Sequence, residues 1–179
     1  MLKNILLIKL KERVQSMINS NIEQAKIVFK QANGFFRFVD GMTFKVGNIL
    51  YLNPYYINCL FCCELYMKSL LLYEGKTVAE LRKANHKLLD LFNMLSYEDQ
   101  TTLKTAFKMD WEYDLFKHFD KINNDFVNMR YVYINNDKMD IEYENNKFAT
   151  TISFMYMLQL HVSMRLFGKD TYEDVKSEC

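Results

Sequence analysis

The feature that most constrains the fold is a segment, residues 54–74, that is apolar almost all round. It reads PYYINCLFCCELYMKSLLLYE. The only residues that interrupt it are Asn58, Glu64, Lys68, Ser69 and Glu74. A helix without a continuous polar face has to be buried on every side. Because Asn53-Pro54 and Gly75 are typical of a helix start and a helix end, we predict a central, buried helix here.

The scarcity of turn-forming residues favours helices elsewhere too. Only one Pro and five Gly occur among 179 residues, and half of the residues are apolar. A β-sandwich or a disordered linker would need a different composition. The sequences TVAE at 77–80 and SYED at 96–99 have the pattern of helix-capping boxes and mark two further helix starts. A third box, SNIE at 20–23, predicts a break between a helix over about 3–18 and another over about 21–33.

Apolar residues at helical spacing predict two buried stripes. The first contains Ile18, Ile22, Ala25, Phe29, Ala32 and Phe36. The second, on a helix over 114–134, contains Leu115, Phe119, Ile122, Phe126, Met129 and Tyr133. A last helix over 148–167, again apolar nearly all round, ends at Gly168.

Two short segments have strand-like patterns. Asp40-Gly41 within 35–48 predicts a β-hairpin, and Met139, Ile141 and Tyr143 alternate as in a short strand. The predicted fold is therefore a single all-α domain over 1–179, with a tail over 171–179. We expect an up-and-down helical bundle of five to seven helices, with 55–74 and 148–167 innermost and room for a small β-hairpin excursion.

The net charge and the lengths of the apolar runs limit the classes of partner that the chain is expected to have. The chain has 23 basic and 22 acidic residues, so binding to nucleic acid would require a local basic patch. The apolar run at the N-terminus is interrupted by Lys9, Lys11 and Arg13, which is unlike a signal peptide, and no apolar stretch is long enough to span a bilayer. We expect a cytoplasmic protein without a membrane partner.

The cysteines and histidines do not form a metal-binding pattern. Cys59, Cys62 and Cys63 have no second ligand pair, so we interpret them as reduced core residues. The three histidines, His86, His118 and His161, share no metal-ligand spacing, and we interpret His161 as a core or edge residue. We expect no metal and no cofactor.

Two candidate polar residues lie on the central helix. Glu64 precedes Lys68 by four residues, the orientation that favours a helical ion pair. A second interpretation pairs Glu64 with Arg130, which lies in FVNMRYVYINND at the edge of the second apolar stripe. In both cases a partly buried carboxylate needs a cation.

Three segments in order resemble the HEPN domain, an all-helical family of prokaryotic toxin and defence systems. They are CELYMKSLLLYEGK at 63–76, HKLLDLFNML at 86–95 and FVNMRYVY at 126–133, and the resemblance covers about 55–135. It implies a homodimer and a role in binding RNA, a nucleotide or a partner protein. Arg130 would hold phosphate or carboxylate, with Glu64, Lys68, Tyr131, Tyr133 and Asn135 as further ligand-binding candidates.

The resemblance leaves the activity open. Active HEPN ribonucleases carry a histidine four to six residues after the arginine, whereas Asn135, Asn136 and Asp137 follow Arg130 here. Asparagine is no general acid or base near neutral pH. One hypothesis is therefore a non-catalytic module. The other is a metal-independent endoribonuclease in which His86 or His118 replaces the missing histidine, and a purely structural or interaction role for the chain is the third interpretation.

Overall fold

The computed structural model describes residues 2–41, 52–112, 114–125 and 145–177. These residues form eight α-helices and no strand, which confirms the all-α class. The helices are α1 (Leu2–Gly41), α2 (Leu52–Tyr73), α3 (Val78–Lys83), α4 (Leu88–Met94), α5 (Tyr97–Trp111), α6 (Leu115–Ile122), α7 (Asn145–Phe167) and α8 (Tyr172–Ser177). The number exceeds the expected five to seven, because 78–94 forms two short helices and 172–177 forms another.

Helix α2 lies at the centre, with α1, α3, α4 and α7 packed against it. Cys59, Cys62 and Cys63 are buried and free. Burial raises the pKa of the Cys62 thiol to about 12, so the thiol stays protonated and behaves as an apolar group. Leu70 is also buried, whereas Leu160 on α7 is exposed, so α7 is less enclosed than its sequence predicts.

Helix α1 runs antiparallel to α2, and the first half of α1 extends beyond the C-terminal end of α2. Ser69 Oγ donates to the Ala25 carbonyl at 2.8 Å, and Cys62 Sγ lies 3.8 Å from the Ala32 carbonyl. Continuing this register places the end of α2 near residue 21, so the first half of α1 extends beyond α2 by about 30 Å at 1.5 Å per residue. The apolar side chains Leu10, Val14, Met17 and Ile18 are accordingly exposed.

The predicted break at 20–23 is wrong. Helix α1 is continuous over 40 residues. Glu23 forms an ion pair with Lys26 at 2.9 Å instead of closing a capping box. Ile18 is therefore exposed rather than core, whereas Ala25, Phe29, Ala32 and Phe36 are buried as expected.

Two other expectations fail within the described residues. Residues 35–41 of the predicted hairpin are the last turns of α1, because Phe36 and Val39 continue its buried stripe. The predicted helix over 114–134 ends as α6 at Ile122, followed by a turn at 123–124. The rest of that helix, the rest of the hairpin and the strand at 139–143 lie outside the described residues.

The capping signals at Thr77 and Ser96 are confirmed, whereas α2 begins at Leu52, before the predicted cap at Asn53. Thr77 and Glu80 form a complete capping box at the start of α3, and the Ser96 side chain accepts from the Asp99 N–H at the start of α5. Gly75 and Gly168 have φ of 90° and 69°, the left-handed conformation in which glycine is free of strain.

Helices α7 and α8 are held against α1 by one carboxylate. Tyr156 and Tyr172 donate to Asp40 Oδ1 at 2.6 and 3.2 Å. The rings of both tyrosines also contact Phe36 edge-on, at 5.0 and 5.9 Å between centroids. Among the described residues, no helix is long and apolar enough to cross a membrane.

Candidate functional site

Glu64 is the centre of a small polar cluster on one side of α2. Its Oε1 accepts from Lys68 Nζ at 2.6 Å, and its Oε2 lies 3.0 Å from His86 Nδ1. The Glu64 side chain is 2% exposed, whereas that of His86 is 42% exposed. The buried carboxylate therefore holds a lysine and a histidine that both reach solvent. We call Glu64, Lys68 and His86 the Glu64 cluster.

The helical geometry explains why these residues meet. Glu64 and Lys68 are one turn apart on α2, so the predicted ion pair is confirmed. His86 comes from the turn between α3 and α4, where Asn85 has a left-handed φ of 52°. Asparagine tolerates this conformation better than most residues. The turn is closed by a hydrogen bond from Lys87 N to the Ala84 carbonyl at 3.2 Å.

The chain around His86 is strongly basic, although the protein as a whole is nearly neutral. Residues 76–87 contain four Lys or Arg residues against one acidic residue, Glu80. Arg82, Lys83 and Lys87 are exposed. Glu80 is engaged in the α3 capping box, where hydrogen bonds from Thr77 lower its pKa. We call residues 76–87 the basic segment, and it is the local patch that the overall charge did not reveal.

The remaining predicted ligand residues are not in the described part of the chain. Arg130, Tyr131, Tyr133 and Asn135 all lie in 126–144. The proposed contact between Glu64 and Arg130 therefore stays a prediction. What the structure brings together from the expected set is Glu64, Lys68 and His86.

His118 has a different environment from His86. It is 1% exposed and stacks on Phe107, and its two ring nitrogens contact the hydroxyls of Thr150 and Thr151 at 3.2 and 3.3 Å. Burial, assisted by the positive charges of Lys147 and Lys121, lowers its pKa to about 4. His118 is therefore neutral and enclosed, which excludes it as a group that touches RNA in this conformation.

A second polar cluster was not anticipated from the sequence. Asp99, 1% exposed, accepts from Ser96 Oγ at 2.8 Å and from His161 Nε2 at 2.7 Å. Arg165 Nε lies 3.3 Å from the same carboxylate, and its guanidinium is over the ring of Tyr73. Glu74 is hydrogen-bonded to Asp99 as well. We call Glu74, Ser96, Asp99, His161 and Arg165 the Asp99 cluster.

The two carboxyl groups of the Asp99 cluster have pKa values shifted in opposite directions. Burial and the hydrogen bond with Asp99 raise the pKa of Glu74. Burial alone would raise the pKa of Asp99 too, but hydrogen bonds from Glu74, Ser96 and His161 outweigh it and lower that pKa. Asp99 is therefore the more acidic of the two and carries the negative charge that faces Arg165.

Part of each cluster could be recognised from the spacing of residues in the sequence. His161 and Arg165 are four residues apart and share a helix face, but nothing local connects them to Asp99, more than sixty residues earlier. The basic segment could have been found by counting charges in a short window, because it is contiguous. Within the described residues, no three His, Cys, Asp or Glu side chains are grouped so as to hold a metal ion.

Comparisons of the chain with protein-family models, with curated proteins and with solved structures find no match to any of them.

Proposed function

We propose that the chain is a divergent HEPN-like module that binds single-stranded RNA, without cleaving it, on the surface formed by the Glu64 cluster and the basic segment. The observation that carries the proposal is a buried Glu64 holding Lys68 and His86 at the surface next to exposed Arg82, Lys83 and Lys87. Lysine and arginine neutralise phosphates, which is the largest sequence-independent contribution to RNA affinity.

The Glu64 carboxylate contributes by fixing the direction of its partners. A lysine or histidine held by a buried acceptor loses less conformational freedom when it meets a phosphate. His86 can also stack on an unpaired base, as aromatic side chains do in single-strand binding sites. A nucleotide or an acidic partner protein would be recognised by the same charges, and these are the other outcomes of the test.

The test is fluorescence anisotropy of labelled single-stranded RNA in EDTA with wild type, His86→Ala and His161→Ala. The second variant is the matched control, because His161 also contacts a buried carboxylate but lies in the Asp99 cluster. We expect His86→Ala to weaken binding about tenfold, equivalent to about 1.4 kcal/mol, and His161→Ala, once shown folded by circular dichroism, to bind as wild type does. Equal affinities for all three proteins, or no binding by wild type, would refute the proposal.

The resemblance supports three further proposals about the setting. They are a homodimer, a cytoplasmic location and a role in a prokaryotic toxin or defence system. The dimer is tested by light scattering after gel filtration, where a mass twice the chain mass of 21.5 kDa is expected. A mass of one chain across the concentrations used for RNA binding would exclude it.

The contact between Glu64 and His86 favours a second candidate function, a metal-independent endoribonuclease. When a carboxylate accepts from Nδ1–H of a neutral imidazole, the tautomer is set so that Nε2 is the basic nitrogen. Such an oriented histidine is a suitable general base, and Arg130 would stabilise phosphate charge. RNA cleavage needs proton transfer both to and from oxygen, and Arg130, which is always protonated, cannot be the second acid–base group beside His86. Non-catalytic binding is therefore preferred.

Labelled RNA incubated in EDTA with wild type, Arg130→Ala and His86→Ala separates the two functions. We expect little or no cleavage by wild type. Robust cleavage that disappears in both variants would establish the ribonuclease. Cleavage that neither variant affects would rule out both residues as catalytic groups.

A further inference from the structure

We propose that α1 pairs with α1 of a second copy of the chain, in antiparallel orientation, through an uncharged stripe on its outer face. The proposal rests on the homodimer proposed above and names its interface, and it does not depend on RNA binding. The first half of α1 extends beyond α2 by about 30 Å, and its apolar side chains are exposed. A helix of about 20 residues that packs against nothing is marginal in water, so this half of α1 needs a surface that covers it.

The uncharged stripe, which we call the seam, follows α1 from residue 10 to residue 38 at alternating spacings of four and three. This repeat of 3.5 residues is the pattern of a two-stranded coiled coil. Nine charged side chains occur in residues 9–40, and all of them lie outside the seam. The seam therefore continues over four heptads of a helix that is otherwise rich in charge. Its positions are Leu10, Val14, Met17, Asn21, Gln24, Val28, Gln31, Phe35 and Phe38.

The seam is separate from the stripe of α1 that packs in the bundle. Ala25, Ala32 and Val39 each follow a seam residue directly and are at most 1% exposed. In the seam itself, Met17 is 69% exposed, and Phe38, in the half of α1 that belongs to the bundle, is 48% exposed. Helix α1 therefore presents one apolar face to its own bundle and a second face to solvent.

The seam is large enough for a stable dimer. Two copies contribute nine positions each, so the roughly 1,200 Å² that a stable interface needs is about 67 Å² for each of eighteen side chains. A Phe side chain can bury about 150–250 Å², so Phe38 at 48% exposure offers about 70–120 Å². Leu10 and Met17 are more exposed still.

The charges and the length of the overhanging half favour the antiparallel orientation. This half contains Lys9, Lys11 and Arg13 against Glu12. Parallel copies would bring the two basic segments together. Antiparallel copies hold them about 35 Å apart, well beyond the roughly 10 Å over which charges interact in salt. Because α2 ends near residue 21, the overhang of one copy matches the bundled half of the other copy in length and covers it.

The antiparallel orientation also pairs two polar side chains at the centre of the seam. In the register that places Asn21 opposite Gln24 of the second copy, the two-fold axis generates the same pair again. Two side-chain amides can each donate to and accept from the other. A polar pair within a seam fixes its register and orientation. In the same register, Leu10 lies opposite Phe35 of the second copy.

The experiment is light scattering after gel filtration of the full chain at several concentrations, with wild type, Met17→Glu and Asn19→Glu. Met17→Glu places a charge in the seam of both copies. Asn19→Glu is the matched control, because it adds the same charge to the same overhang about 200° away around the helix. We expect the dimer dissociation constant to rise at least about 100-fold in Met17→Glu and less than about threefold in Asn19→Glu. Both positions are exposed, so circular dichroism should show both variants folded.

The distance between two spin labels tests the orientation. The label is attached at Glu12→Cys in a Cys179→Ser background, because Cys59, Cys62 and Cys63 are buried and should not react. In the proposed register, residue 12 of one copy is level with residue 33 of the other, so we expect the two labels to be more than about 30 Å apart. Parallel helices at an interaxial distance of about 10 Å would hold them less than about 25 Å apart.

Four results would contradict the proposal. A wild type with the mass of one chain at every concentration would overturn the seam together with the homodimer, as would happen if the seam bound a different protein. A dimer that Met17→Glu leaves intact would overturn the seam and leave the homodimer standing. Equal weakening by Met17→Glu and Asn19→Glu would show that the seam has no special role, and a short distance between the labels would overturn the antiparallel orientation. None of these measurements involves RNA, so failure of the seam is distinguishable from failure of RNA binding.

Discussion

The Glu64 and Asp99 clusters use the same chemistry in two different surroundings. Each joins a buried carboxylate to a histidine and to a lysine or arginine. His86 is 42% exposed and lies in a basic segment, whereas the side chain of His161 is 14% exposed and shares its cluster with a second carboxyl group, Glu74. The two clusters therefore share the carboxylate–histidine contact and differ in the exposure of the histidine and in the balance of charge around it.

The clusters also differ in what they connect. The Glu64 cluster joins α2 to the turn between α3 and α4, and its partners can turn toward water. The Asp99 cluster joins the end of α2, the start of α5 and the last turns of α7. The first arrangement suits a surface that meets a ligand, and the second suits a structural connection between helices.

The largest effect is expected from Asp99→Ala. Removing a buried carboxylate leaves Arg165, His161 and the Ser96 hydroxyl without their shared partner, which should cost about 3–5 kcal/mol of unfolding free energy. Urea denaturation measures the loss. Asp90→Ala, at an exposed Asp on α4, is the control and should cost less than about 0.5 kcal/mol. A loss below about 1 kcal/mol at Asp99 would mean that the cluster is not a structural connection.

Buried His118 should make the free energy of unfolding depend on pH. The pKa of His118 is lowered to about 4 by burial, so between pH 6.5 and 4 the unfolded chain binds a proton that the folded chain does not. Stability from this residue is complete above pH 6.5 and falls with acidification, by about 2 kcal/mol between pH 7 and 5.

Denaturation of wild type and His118→Phe at both pH values checks this expectation. The difference between the two proteins isolates His118 from the other titrating groups. The variant should lose less stability than wild type on going from pH 7 to 5. Identical losses would contradict the assignment of a neutral, enclosed imidazole.

A smaller loss of stability is expected from Glu64→Gln, about 1 kcal/mol, because Lys68 and His86 can be rehydrated where they stand. Comparing this loss of unfolding free energy with the loss in Asp99→Ala measures how differently the two clusters contribute to stability. RNA affinity should fall in Glu64→Gln because the directions of both partners relax. A loss of stability as large as that of Asp99→Ala would place Glu64 among the structural residues.

The smallest effect concerns the salt dependence of RNA binding. Replacing both Arg82 and Lys83 by Gln should reduce the slope of log affinity against log salt by about 0.7 for each phosphate that the variant no longer neutralises. The control is the double replacement by Gln of Lys108 and Lys117, which are exposed on α5 and α6. An equal change of slope in both doubles would show that the basic segment has no special role.

Signals between residues close in sequence predicted much of this fold. Contacts between residues distant in sequence were not predicted. The caps at Thr77 and Ser96 and the stops at Gly75 and Gly168 involve residues within one or two turns. The box at 20–23 failed because an uninterrupted stripe of Ala25, Phe29 and Ala32 favours continuing the helix, with no glycine or proline to end it.

The same limit applies to the candidate site. The pair of Glu64 and Lys68 follows from helical spacing, so it was predicted. The contact of Glu64 with His86 depends on how the α3–α4 turn folds back on α2, and that of Asp99 with His161 depends on bundle packing. Neither contact is encoded in local spacing, so neither was predicted, whereas the contact of Glu64 with Arg130 stays a prediction.

The most direct test of the central claim is hydrogen exchange of the wild-type chain with and without single-stranded RNA. We predict slower exchange in residues 76–87 and in α2 around Glu64, where the exposed cations lie, and no change at 96–101 or 159–167, which contain the Asp99 cluster. Protection confined to the Asp99 cluster, or spread evenly over the bundle, would contradict the account.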